Sequence, residues 1–94
     1  MKKIAMLGVG YVGLVSGTGL ADFGNEVICY DIDTTKIEKL NNGEMPIYEP
    51  GLIDLVRKNV VKGRLKFTDD LALAIRESEV IFLAVPTPSG GNGE

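Results

Sequence analysis

Four residues have types and spacings that could do recognisable chemistry: Gly8, Gly10, Gly13 and, farther on, Asp31. The apolar run Ile4–Leu7 breaks at Gly8, and Gly10, Gly13 and Gly17 follow in a segment that reads as helix. In this G-x-G-x-x-G arrangement each glycine has its own task. Gly8 lets the chain turn sharply out of a strand, and Gly10 leaves room for a pyrophosphate to approach the backbone. Gly13 and Gly17 share one helical face and let the helix sit close against a sheet. The start of that helix points unpaired N–H groups and a partial positive charge at phosphates. A second apolar run, Val27–Tyr30, ends in Asp31, about 20 positions past the motif, where a carboxylate can accept both hydroxyls of an adenosine ribose. The pattern predicts a dinucleotide site built from Gly8, Val9, Gly10, Tyr11, Val12, Gly13 and Asp31, with Val12 contributing backbone. An acid at position 31 favours NAD, because a 2′-phosphate would meet a like charge.

The elements that must hold these residues alternate strand and helix along the chain. Strand one is expected at Ile4–Leu7, helix A at Tyr11–Phe23 and strand two at Glu26–Asp31. Gly24-Asn25 ends helix A. Asp33 caps helix B, which buries Ile37 and Leu40 and stops at Asn41-Asn42-Gly43. A rigid loop with Pro46 and Pro50 leads to helix C, where Leu52, Leu55, Val56 and Val60 share a face and Gly63 ends the helix. Arg64–Phe67 reads as strand three. Thr68 reads as the cap of helix D, with Asp69 and Asp70 in its first turn and Leu71 and Ile75 on its buried side. Val80–Val85 is six apolar residues without alternation, the pattern of an inner parallel strand covered on both faces. Helix A is apolar on nearly every side and is expected to be covered on both faces as well. With right-handed crossovers this is a Rossmann-type α/β fold of about four parallel strands, order 3-2-1-4, with helices on both faces.

Composition narrows the classes of function. The 94 residues form one small domain with 45% hydrophobic and 24% charged residues. A net charge of −3 without a basic run argues against nucleic acid or an anionic membrane as partner. One cysteine and no histidine argue against a disulfide framework and a zinc site. The apolar stretches fall short of the ~20 residues that span a bilayer, and the cytoplasm is the expected compartment.

Four motifs in order carry a family resemblance: Gly8-Val-Gly-Tyr-Val-Gly-Leu-Val-Ser-Gly17, Asp31-Ile-Asp33, Pro46-Ile-Tyr-Glu-Pro-Gly-Leu52 and Val85-Pro-Thr-Pro-Ser89. Together they resemble the UDP-glucose 6-dehydrogenases; relatives acting on GDP-mannose or N-acetylated UDP-sugars share the first two. The resemblance implies an NAD-dependent oxidoreductase that converts UDP-glucose to UDP-glucuronate with two NAD in turn, as in polysaccharide biosynthesis. It places the catalytic cysteine, lysine, asparagine and aspartate, and the homo-oligomer interface, beyond residue 94. The chain is thus expected to be the NAD-binding portion, residues 1–94, of a longer enzyme and inactive by itself. The resemblance further implies that Lys36 reaches the adenosine side of NAD and that Thr87 lies against the nicotinamide half; a solvated helix lysine and a turn threonine are the plainer alternatives. Cys29 reads as a buried core thiol and not as a nucleophile. A nucleotide-sensing regulatory module also carries the glycine motif and the acid, though not the two proline-rich motifs. The open edge of strand four is expected to promote self-association.

Overall fold

In the computed structural model, which describes residues 1–45 and 49–84, eight elements follow one another along the chain. They are β1 (Lys3–Leu7), α1 (Tyr11–Asp22), β2 (Glu26–Tyr30), α2 (Thr34–Asn41), α3 (Leu52–Val61), β3 (Leu65–Thr68), α4 (Leu71–Arg76) and β4 (Val80–Leu83). The strands form one parallel sheet in the order β3-β2-β1-β4, as the alternation predicts. No helix among the described residues is long and apolar enough to cross a membrane.

Strand register decides which residues share a face. Ile4 pairs with Val27 and Val80, Met6 with Cys29 and Phe82, while Val27 and Cys29 pair with Leu65 and Phe67. This face carries the core: Leu14 and Ala21 from α1, Ile37 and Leu40 from α2, and Leu52 and Val56 from α3 pack on it. Helix α1 comes close because Gly17 has no side chain; a Cβ there would lie 2.9 Å from the Cys29 sulfur. A polar seam sets α3 against α1. The buried Asn59 amide donates to Leu55 O at 2.9 Å and to Asp22 Oδ1 at 3.2 Å, and Lys58 Nζ lies 3.1 Å from the same carboxylate oxygen.

Three expectations change at β3 and α4. Strand β3 runs one residue further than the pattern suggests, because Thr68 pairs with Tyr30 and its carbonyl accepts the Asp31 N–H at 3.2 Å. Thr68 is therefore committed to the sheet, and Asp70 caps α4 by accepting the Leu73 N–H at 3.1 Å. The Thr68 hydroxyl instead accepts the Asp70 N–H at 3.0 Å, bracing the turn before the helix. Helix α4 buries Ala74, whereas Leu71 and Ile75 are exposed. With six residues it offers one narrow strip to the sheet, and a small side chain at its centre brings the backbone close.

The outer parts of the molecule are less covered than the apolar pattern suggests. In β4, Ile81, Phe82 and Leu83 are exposed, and among the described residues nothing pairs beyond β4. Helix α1 is likewise covered on one side alone, and Val12, Val15 and the capping residue Phe23 face outward. Between α1 and β4 lies an open apolar groove of about 490 Å³ that includes Val12, Leu20, Phe23 and Phe82.

Candidate functional site

The carboxyl ends of β1 and β2 bring the glycine corner and Asp31 together. Gly8 turns at φ 111°, a left-handed conformation that strongly favours glycine, and its N–H donates to Tyr30 O at 2.7 Å. A Cβ on Gly13 would collide with the Gly8 carbonyl oxygen and stand 3.2 Å from Ala84 Cβ, so Gly13 is bare in order to let the helix close onto the corner. Gly10 differs from both. Its φ of −81° suits any residue, and a Cβ there would meet nothing within 4 Å. Neither conformation nor packing within the described chain requires a glycine at position 10.

Gly10 also opens α1, and the first helical bond runs from the Leu14 N–H to Gly10 O at 2.9 Å. The N–H groups of Tyr11, Val12 and Gly13 therefore have no partner within the helix. No side chain caps α1 and no acid stands in its first turn. By contrast Asp33 caps α2, Asp70 caps α4 and Asp54 sits in the first turn of α3. The start of α1 is left electropositive and open beside an empty space over Gly10, an arrangement suited to a diphosphate.

Asp31 stands just past β2 with its carboxylate toward this corner. Its Oδ2 accepts the Val9 N–H at 2.9 Å, its Oδ1 accepts the Asp33 N–H at 2.9 Å, and Lys36 Nζ lies 3.8 Å from Oδ2. The Asp31 side chain is 15% exposed and that of Lys36 29%. Partial burial works against ionisation of Asp31, but the Val9 and Asp33 N–H groups and the Lys36 ammonium outweigh it and hold the carboxyl below its ordinary range. It is ionised at neutral pH. Asp33 places Lys36 in turn, accepting the Lys36 N–H at 3.1 Å as the cap of α2.

The structure thus gathers Gly8, Val9, Gly10, Tyr11, Val12, Gly13, Asp31 and Lys36 at one end of the sheet. Val9 differs from its neighbours in that its side chain is fully buried in the core, so that its backbone alone faces the corner. The side chains of Tyr11 and Val12 are 54% and 63% exposed, and Val12 is not core. Thr87 lies outside the described residues, as do Pro46–Tyr48 and Val85–Ser89 of the proline-rich motifs. Asp33 is also a neighbour of the site, and its place two residues after Asp31, the spacing of an Asx turn, is the signal for it in the sequence. Cys29 is fully buried, and burial pushes its thiol up to about 12, in line with a packing role.

A glycine corner that opens an uncapped helix, with an ionised acid at the end of the adjoining parallel strand, defines a dinucleotide-binding Rossmann domain. Residues 2–94 match the UDP-glucose/GDP-mannose dehydrogenase family, NAD binding domain, and the chain belongs to that family. Its cofactor is accordingly NAD. The chain is 61% identical over all 94 residues to the UDP-glucose 6-dehydrogenase TuaD of Bacillus subtilis, of which it covers 20%. It is 45% identical over 92 residues, 98% of the chain, to a GDP-mannose 6-dehydrogenase of Pseudomonas syringae, of which it covers 21%. The crystal structure of a ternary complex of GDP-mannose dehydrogenase from Pseudomonas aeruginosa superimposes with a TM-score of 0.88 at 42% identity, over 100% of this chain and 21% of that one. The chain spans about a fifth of the length of these relatives.

Proposed function

We propose that this chain is the NAD-binding portion of a nucleotide-sugar 6-dehydrogenase whose substrate is UDP-glucose, oxidised to UDP-glucuronate. The N–H groups of Tyr11, Val12 and Gly13 receive the diphosphate over Gly10, and Asp31 accepts the hydroxyls of the adenosine ribose. Lys36 stands on the adenosine side, beside that carboxylate, and the family resemblance assigns Thr87 to the nicotinamide half. When bound, NAD supplies a hydride acceptor for each of the two oxidations. The charge on Asp31 disfavours NADP, whose 2′-phosphate would displace a hydroxyl from an ionised carboxylate.

Gly10 is the observation that supports the site: a glycine that nothing among the described residues requires is accounted for by a ligand that touches the backbone there. The choice of sugar is supported by 61% identity to a UDP-glucose 6-dehydrogenase against 45% to a GDP-mannose 6-dehydrogenase. GDP-mannose is the second reading, favoured by the fold match to a GDP-mannose dehydrogenase. Calorimetric titration of the chain with NAD and NADP tests the site, with NAD binding the tighter; equal affinities would remove the role given to Asp31. The intact protein incubated with UDP-glucose and NAD should yield two NADH per sugar consumed. NADH formed from GDP-mannose and not from UDP-glucose would reverse the substrate assignment.

A further inference from the structure

The Gly8–Val9 peptide is the part of the corner whose orientation decides where the first turn of α1 points. The corner is held on the Gly8 side by the N–H bond to Tyr30 O at 2.7 Å and by the contact of the Gly8 carbonyl with Gly13. On the other side the Val9 side chain is sunk in the core. Among the described residues, Asp31 is the sole side chain hydrogen-bonded to the segment from Gly8 to Gly13, through Oδ2 to the Val9 N–H at 2.9 Å. Its second oxygen holds Asp33, the cap of α2, so one carboxylate joins the corner to the start of the next helix.

We propose that Asp31 is a positioning residue for the diphosphate-binding corner, in addition to accepting the ribose: through the Val9 N–H it fixes the peptide from which the N–H groups of α1 are aimed. The inference rests on the NAD reading above. Both roles fit one carboxylate, since two oxygens offer about four lone pairs and the backbone takes two. The lowered pKa of Asp31 agrees with this tie, because each backbone N–H stabilises the charged form. An amide at this position could not do the same. Its one oxygen can serve Val9 or Asp33, and its NH2 would face the other N–H, donor against donor.

The test separates the tie from the ribose contact with a ligand that lacks the ribose hydroxyls: NAD carrying a 2′,3′-dideoxyribose on the adenosine side. Asp31→Asn should weaken this analogue about tenfold, the equivalent of one charge-assisted hydrogen bond. It should also speed amide exchange at Val9 while β3 amides keep their protection, which reports that the variant is folded. Unchanged affinity for the analogue overturns the inference even if NAD itself binds less well. Should Asp31→Asn not fold, the unsubstituted protein carries the test, because the Val9 amide shift must follow the Asp31 carboxyl through its titration. A Val9 shift that stays flat there overturns the tie. An unsubstituted chain that binds neither NAD nor the analogue overturns the functional reading and the positioning role with it, whereas analogue binding unaffected by Asp31→Asn overturns the positioning role alone.

Discussion

Gly10 and Gly13 are both bare, for opposite reasons, and substitution separates them. Alanine at Gly13 forces a methyl group into the Gly8 carbonyl oxygen, a backbone atom that cannot move without opening the corner. Gly13→Ala should cost about 3 kcal/mol or more in urea denaturation, at or beyond the upper range for overpacking. Gly10→Ala places its methyl in open space at an ordinary φ, so the stability should change by about 1 kcal/mol or less. NAD affinity should nevertheless fall at least about tenfold, as the methyl occupies the approach of the diphosphate. If Gly10→Ala binds NAD as tightly as the parent, the cofactor does not touch the backbone there. Gly17 offers a third case, since its neighbour is the end of a side chain: a Cβ would lie 2.9 Å from Cys29 Sγ. Gly17→Ala and Cys29→Ala should each destabilise, and the double variant should lose less than the sum, a coupling of about 1 kcal/mol in a double-mutant cycle. Strict additivity would show that α1 does not rest on that sulfur.

Among the elements, α4 gives the clearest separation between pattern and structure. Thr68 and Asp70 are both good capping types before an apolar stretch, and local sequence does not choose between them. The choice is made by β3, whose register with β2 pairs Thr68 with Tyr30 and leaves Asp70 to accept from Leu73. Asp70→Ala should therefore cost about 1 kcal/mol, the usual loss of a cap. Thr68→Ala, which removes only the bond to the Asp70 N–H, should cost less than that by chemical denaturation. The reverse ranking would return the cap to Thr68. The same reasoning explains Ala74: burial on a helix of six residues follows its distance from the sheet, and the larger Leu71 and Ile75 stand aside.

For the molecule as a whole, two carboxylates set the response to acid. The Lys58 and Asn59 side chains hold the Asp22 carboxyl below its ordinary range against the opposing effect of desolvation, and Asp31 is held low against partial burial by Val9, Asp33 and Lys36. A carboxyl depressed in the folded state contributes its stability in full above the unfolded value of about 3.9 and loses it as pH falls through the lower folded value. Urea midpoints should thus be insensitive to these two groups from about pH 5 to 8 and fall below about pH 4. Asp22→Asn should flatten part of that fall; an unchanged acid limb would contradict the seam between α1 and α3. The exposed Ile81, Phe82 and Leu83 have a separate consequence. An apolar strand at a sheet edge pairs readily with other chains, and the 94-residue chain in isolation should show a scattering mass that rises with concentration. A constant monomer mass at high concentration would contradict this.

Sequence by itself determined the alternation of elements, the strand order, the glycine corner and the acid that faces it. These follow from local requirements: a left-handed turn at Gly8, a helix that needs a bare face at Gly13 and Gly17, and apolar runs whose period differs between strand and helix. The buried thiol of Cys29 was legible for the same reason, as the middle of an apolar strand. Only the tertiary structure decided that Asp31 holds the Val9 N–H, that Asp70 and not Thr68 caps α4, that Ala74 is the buried residue there, and that among the described residues β4 and the outer face of α1 lie open. Each of these depends on the register between strands or on which element is present to cover a surface. Such facts belong to pairs of distant segments, and no window of the chain contains both members of the pair.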